Sequence, residues 1–329
     1  MKKIIIPIIC ILLLALAFYK SDKVTDLIAD KITSSPTLVI PEANKYAKSG
    51  DDSTFGFVQL TDSFVPYSRQ DLMNIIYTTI NNGWKSFTFY CPSEYEQCIN
   101  DIEELRNNKL ILTYINDFVH PYNSFASLKT SVASNGEIII TPNYLYTEEQ
   151  IEAIEQKVDE LMNKYPASLT VQTEPSKMKE TIKHFHDYII NHAKYDVIRG
   201  QDGTSEYQSH IAYGALLEGK AICNGYADAM AIILTKMGYK NYKIATPAEN
   251  ISGAEYGHIW NAVYINNKWL HLDLTWDDPV SSDGSDYLFY KYFLISTDKL
   301  KKADSGSVKI EEHNFDDTIY LEFNSLMNS

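Results

Sequence analysis

A chain of 329 residues, 45% of them hydrophobic, can bury a large core and suggests two domains after any leader. Its formal charge of −14 and pI near 5.0 leave no excess of Lys and Arg to neutralise phosphates, which argues against a nucleic-acid partner. Tyrosine is frequent, at 24 residues, and suits either peptide or glycan contact at a surface or filling at the edges of cores.

In chain order, residues 1–20 read MKKIIIPIICILLLALAFYK. Two lysines precede an apolar run, and Ala15-Leu16-Ala17 offers a small-residue cleavage pattern, so this is a signal peptide or an uncleaved membrane anchor. On either reading the segment engages a membrane during export and the remainder lies outside, anchored, secreted or associated with the cell wall. Cys10 follows Ile8 and Ile9 where a lipid-modification site wants small residues. Residues 21–53 are polar and read as a linker.

A small α+β domain is expected over residues 54–167. FGFVQL, from Phe55, is strand-like. Ser68 with Asp71 marks a helix start, with Leu72, Ile75, Ile76 and Ile80 as its buried stripe up to Asn82-Gly83. SFTFYC is a second strand, and Glu94 to Leu105 a short helix. Asn135-Gly136 between β-rich flanks marks a hairpin. Thr147 with Gln150 forms a capping box ahead of Ile151, Ile154, Val158 and Leu161. Cys91 and Cys98 are compatible with a disulfide in an exported chain, or with positions on diverging elements. No catalytic constellation appears here, which leaves substrate positioning or a structural spacer as its role.

The second domain, residues 168–329, opens with a helix after Pro175 carrying Met178, Ile182, Phe185 and Ile189. His184 and His186 fall on different sides of it and do not make a metal pair, and no metal-ligand motif or cofactor fingerprint is present. The acidic run Asp277, Asp278, Asp283 and Asp286 reads as a solvated turn. Cys223 precedes an apolar stripe of Ala227, Met230, Ala231 and Leu234 that ends at Met237-Gly238. It therefore sits on the first turn of a helix, where free N–H groups and the dipole favour a thiolate. Gly219 and Gly225 flank it and leave room for a substrate backbone.

His258 to Thr275 reads as a hairpin turning at Asn266-Asn267. Pairing Ile265 with Lys268 places Trp260 opposite Asp273, and makes Asp273 the diagonal neighbour of His258. A carboxylate there can orient an imidazole and stabilise its charged form. Asp277 has the same parity, but Asp278-Pro279 ends the strand beside it. Gln208, Tyr213 and Trp260 are candidates for the cleft wall or for an oxyanion donor beside the Cys223 N–H. YLFYKYFLIST, from Tyr287, is expected to extend the sheet, with a polar tail closing the domain.

SHIAYGALLEGKAICNGYADAM, GHIWNAVYINNKWLHLDLTWDDP and IKHFHDYIINHAKYD resemble the bacterial transglutaminase-like superfamily, papain-related cysteine enzymes, over roughly Lys177 to Thr297. The resemblance implies an α+β, papain-like core with the Cys-bearing helix packed on an antiparallel sheet, preceded by the small α+β domain. It also implies a triad of Cys223, His258 and Asp273, and a thioester mechanism without cofactor. Peptides, proteins or peptidoglycan peptides are the expected substrates. Water as acceptor makes a protease or amidase, a lysine amine makes a crosslinking transglutaminase, and a chain that has lost activity would be a peptide- or glycan-binding module.

Overall fold

The computed structural model describes residues 38–202, 205–247, 257–280, 287–304 and 310–323. The expected leader, most of the expected linker, and Asp283 and Asp286 lie outside the described residues. Residues from Pro41 onward belong to one compact unit. No helix among the described residues is long and apolar enough to cross a membrane.

The fold of Pro41–Ser329 is α+β with antiparallel sheets. Helix α1 (Arg69–Asn81) starts where expected, the Ser68 hydroxyl accepting from the Asp71 N–H, and buries Leu72, Ile75, Ile76 and Ile80. Strand β1 (Phe87–Tyr90), helices α2 (Cys98–Asn107) and α3 (Lys109–Asp117), and the hairpin β2 (Phe125–Val132) and β3 (Glu137–Tyr144) follow. The first sheet has the order β1-β3-β2. Helix α4 (Glu148–Lys164) carries both hydrogen bonds of the Thr147/Gln150 capping box.

Three expectations in this region change. FGFVQL is not a strand: the Phe55 N–H donates to the Val58 carbonyl at 3.0 Å, and this tight turn buries both apolar side chains without a partner strand. The helix expected from Glu94 begins at Cys98, because Cys91 and Cys98 are joined in a disulfide with Cα atoms 5.8 Å apart and the chain must turn between them. Helix α3 was not expected at all. Its Asn108 cap accepts from the Ile111 N–H at 3.1 Å, and Leu112, Tyr114 and Ile115 are buried.

Helix α5 (Pro175–His192) leads to β4 (Lys194–Tyr195), α6 (Val197–Asp202), a π-turn over Gly214–Glu218 and β5 (Lys220–Ala221), which pairs in parallel with β4. Helix α7 (Cys223–Lys236) is buried at every position from Gly225 to Leu234, so it is the central helix of the core and not a one-sided amphipathic one. The second sheet, β6 (Asn241–Thr246), β7 (His258–Ile265) and β8 (Lys268–Leu272), has the order β6-β7-β8. The 265/268 register holds from Ile265↔Lys268 to Asn261↔Leu272, with Asn266 and Asn267 at φ 50° and 60°. Short α8 (Leu274–Asp277) and α9 (Thr297–Asp304) complete the main elements.

The boundary expected at 167/168 does not separate two cores. Ile154, Val158, Leu161 and Met162 of α4 belong to the same apolar cluster as Ile182, Phe185 and Ile189 of α5 and Met230 and Ile233 of α7. Residues 41–53 are likewise no free linker: Lys48 Nζ donates to the Asn241 carbonyl at 2.8 Å, and Asn44 Nδ2 to Asn123 Oδ1 at 2.7 Å. YLFYKYFLIST pairs with the sheet only through Ile295 and His271. Leu294 at φ 49° breaks the extended backbone, and Asp277 instead captures the Tyr292 N–H at 3.0 Å.

The Cys91–Cys98 bridge closes a short loop in the unfolded chain. Replacing both residues by Ser should cost roughly 2–3 kcal/mol of unfolding free energy on the loop-closure model. Urea unfolding of the two forms measures it; equal midpoints would mean that the bridge adds no constraint.

Candidate active site

The first turn of α7 presents Cys223, the one free cysteine among the described residues, half-buried at the surface of the core. The chain reaches it through β5, and the Ile222 N–H donates to the Ser209 carbonyl at 2.9 Å. Gly225 is needed for this approach: a Cβ there would lie 2.3 Å from the Ser209 carbonyl oxygen. The room at Gly225 thus holds the chain's own backbone, not a substrate. Gly219 ends the π-turn in the left-handed region at φ 71°.

β7 packs along α7, and Asn261 Nδ2 donates to the Ala227 carbonyl at 2.9 Å. This fixes His258, the first residue of β7, beside Cys223, and the two line one cleft of about 330 Å³. The opposite wall is Lys109, Leu110 and Thr113 of α3, with the ends of β6 and β7 between. A larger cavity of about 420 Å³, lined by Lys48, His120 and Tyr122 among others, includes none of Cys223, His258 and Asp273.

His258 Nε2 donates to Asp273 Oδ2 at 2.6 Å, which leaves Nδ1 for Cys223. The route to this contact differs from the expected ladder. β8 ends at Leu272, and Asp273 is the N-cap of α8, its Oδ1 accepting from the Trp276 N–H at 3.2 Å. The carboxylate therefore turns toward His258 from a helix cap, not from a strand diagonal. Asp277 is engaged elsewhere, with His186 Nε2 3.2 Å from its Oδ2.

Burial disfavours a charged His258, but the adjacent Asp273 charge and hydrogen bond, with a contribution from Cys223, outweigh it and push the pKa up to about 10. Burial works against the Asp273 carboxylate too, yet His258 and His313 hold its pKa well below the usual range. A thiol beside an imidazole that retains its proton can exist as a thiolate–imidazolium pair.

His313 was not foreseen. It lies 40 residues beyond Asp273 in the tail, and its Nε2 donates to the same Asp273 Oδ2 at 2.9 Å, while its Nδ1 donates to Asp304 Oδ1 at 3.0 Å. The donor atoms of His258, Asp273 and His313 lie within 4.8 Å of one another, a spacing a divalent ion could span. The 2.6 and 2.9 Å separations are those of charge-assisted hydrogen bonds.

The other sequence candidates are placed differently. The Trp260 ring stacks on His258 with centroids 5.6 Å apart, but its N–H donates to His271 Nδ1 at 3.1 Å and is not free for an oxyanion. The Gln208 side-chain oxygen accepts from Gln150, and Gln208 is absent from the cleft lining. Tyr213 packs against the core cluster and also stands outside the cleft lining. Tyr195, passed over in the sequence, pairs with Ala221 two residues before Cys223. Burial first, and then the neighbouring Cys223, push its pKa up to about 12; like Gln208 and Tyr213, it is absent from the cleft lining.

Residues 164–274 match the family model described as the Transglutaminase-like superfamily. Kyphoscoliosis peptidase of Homo sapiens is 29% identical over 129 residues, covering 36% of this chain and 19% of that protein. The Mus musculus protein of the same name is 29% identical over 128 residues, with the same coverage. The chain thus spans about a fifth of the length of these relatives. Among solved structures, one titled a TGase aligns with TM-score 0.31 and 18% identity, covering 49% of this chain and 48% of that one. A second, titled a putative cysteine protease from Cytophaga hutchinsonii, aligns with TM-score 0.27 and 11% identity, covering 45% of this chain and 61% of that one.

The raised pKa of His258 makes stability depend on pH. Its folded value, about 10, lies above the unperturbed imidazole value of roughly 6.5. The stabilisation it contributes is therefore complete below the unfolded value and is lost as pH rises through the folded one. The urea-midpoint gap between wild type and His258→Asn should be widest near pH 6 and shrink toward pH 10.5; a constant gap would show that the ring is not held protonated.

Proposed function

We propose that this chain, whose residues 164–274 match the transglutaminase-like family model, is an exported cysteine acyl-transfer enzyme, acting as a protease or amidase on peptide or cell-wall substrates. The observation that carries this reading is the 2.6 Å contact of His258 with Asp273, on a ring that lines one cleft with Cys223. The Cys223 thiolate attacks an amide carbonyl. The backbone N–H of Cys223, on the first turn of α7, serves the developing oxyanion, and Tyr195, whose strand precedes that helix but which stands outside the cleft lining, is a candidate second donor. His258 delivers its proton to the leaving amine, Asp273 holds the ring, and a thioester forms. Water then enters, His258 takes its proton, and the acid is released.

Hydrolysis is favoured over transamidation because the cleft is open between α3 and the strand ends, and because curated relatives are named peptidases. Export rests on the leader-like residues 1–20 and accords with the Cys91–Cys98 disulfide, which an oxidising compartment preserves. In this reading the membrane meets only the N-terminal segment.

At pH 6, iodoacetamide should alkylate wild-type Cys223 at least about tenfold faster than the His258→Ala protein, since the ring is what maintains the thiolate. Equal, slow rates would leave a binding module in place of an enzyme. Ammonia release from a glutamine peptide should proceed without added primary amine; a strict need for the amine would turn the assignment to a crosslinking transglutaminase. Tyr195→Phe should lower turnover of that peptide by about a hundredfold, the usual scale for one oxyanion donor, with alkylation at pH 6 unchanged. Full turnover would remove Tyr195 from the oxyanion site.

A further inference from the structure

We propose that His313, clamped by Asp304, is a positioning residue for the Cys223–His258–Asp273 set: it fixes the Asp273 carboxylate against His258 and limits how tightly His258 holds its proton. The inference rests on the acyl-transfer reading above.

The geometry begins with the two nitrogens of His313. Nε2 is 2.9 Å from Asp273 Oδ2 and Nδ1 is 3.0 Å from Asp304 Oδ1. A carboxylate can only accept, so both nitrogens must carry protons, and His313 is an imidazolium between two anions. Its side chain and that of Asp273 are each 1% exposed, so water cannot replace either bond. Asp304 is held in turn by the Tyr292 hydroxyl at 3.1 Å. The rings of Trp260, Trp276 and Tyr292 surround His313 with centroids 5.0, 5.7 and 5.0 Å away.

Two consequences follow for His258. Oδ2 of Asp273 receives donors from both imidazoles, at 2.6 and 2.9 Å, and Oδ1 receives the Trp276 N–H, so the carboxylate has no freedom to swing from the ring it orients. The positive charge of His313, whose ring centroid is 5.3 Å from that of His258, also opposes a second positive charge there. A base that must return its proton to a leaving amine benefits from such moderation. The other groups facing this cluster fit the same charge state. His271 accepts from Trp260 at Nδ1 and donates to Thr297 Oγ1 from Nε2, both at 3.1 Å, so it is neutral, and its pKa is pushed down to about 3 by burial and by His313. Glu312 accepts from Trp276 Nε1 at 3.1 Å, and Cys223 shares the cleft lining with His258.

The test uses the full chain and iodoacetamide as the probe of the Cys223 thiolate, read as a rate against pH. His313→Ala removes the clamp and should slow alkylation at pH 6 by about tenfold or more, the scale of a small displacement in a catalytic set. His313→Gln restores one N–H for Asp273 without the charge. It should recover the pH 6 rate to within about threefold, while the alkaline limb, where His258 gives up its proton, moves to higher pH. Both variants are compared by thermal unfolding. The proposal is overturned if His313→Ala alkylates with the wild-type rate and pH profile, or if Gln rescues no better than Ala. It is also overturned if rate losses follow lowered stability alone with the limb unmoved. A wild-type Cys223 that is itself slow, or indifferent to His258→Ala, would instead remove the acyl-transfer reading, so the two failures are distinguishable.

Discussion

A carboxylate with almost no exposure is the constraint around which this molecule is arranged. Asp273 is 1% exposed, and removing a lone charge from water on that scale costs several kcal/mol unless donors replace the lost hydration. Three donors do so here, from His258, His313 and the backbone of Trp276. Each comes from a different part of the chain: the first residue of β7, the C-terminal tail and the helix that Asp273 itself caps. Strand β8 stops at Leu272 because Asp273 leaves the ladder to serve as that cap, and the same change of direction aims its second oxygen at the imidazole of His258.

A second buried charge organises the opposite side. Asp228 lies on α7, five residues past Cys223 and fully buried; Lys243 of β6 donates to it at 2.7 Å and the Tyr146 hydroxyl at 2.7 Å. Tyr320 of the tail donates to Asp117 of α3 at 2.6 Å and accepts from the Ala245 N–H of β6 at 2.8 Å. The cleft wall on α3 is thereby tied to the sheet that carries His258. The segment matching the transglutaminase-like family, residues 164–274, contains Cys223, His258 and Asp273 but neither that wall nor His313. The α3 wall of the cleft and the His313 and Trp276 donors to Asp273 therefore come from sequence outside that segment.

Much of this was legible before any coordinates because the signals are local. The Asn266-Asn267 turn sets a register that can be counted residue by residue, and Cys223 precedes an apolar stripe that only a helix explains. Capping residues Ser68 and Thr147 marked their helices for the same reason. The failures are non-local. Lys109–Asp117 is a short apolar run rich in β-branched and aromatic residues, and periodicity alone does not tell a buried helix from a strand. YLFYKYFLIST has strand composition but is pulled from the sheet by Asp277 and by the turn at Leu294. His313 sits in a polar tail with no pattern around it, and only the folded chain reveals that it meets Asp273.

That last contact bears on how the proposed triad is assembled. The three residues of the proposed triad lie within 51 positions of one another, Cys223 to Asp273, so local pairing of β7 with β8 against α7 can bring them close early. What local pairing cannot do is compensate Asp273 while excluding water, because its third donor arrives only when the segment Ile310–His313 docks. Before docking, a carboxylate in that position keeps its water and shares its charge with solvent, and the imidazole beside it gains little from the pairing. After docking, the same distance between ring and carboxylate acts across a dry interior, where the electrostatic hold on the imidazolium is several times larger. The C-terminal tail thus completes both the enclosure of Asp273 and its set of donors, while the charge of His313 moderates the hold on His258.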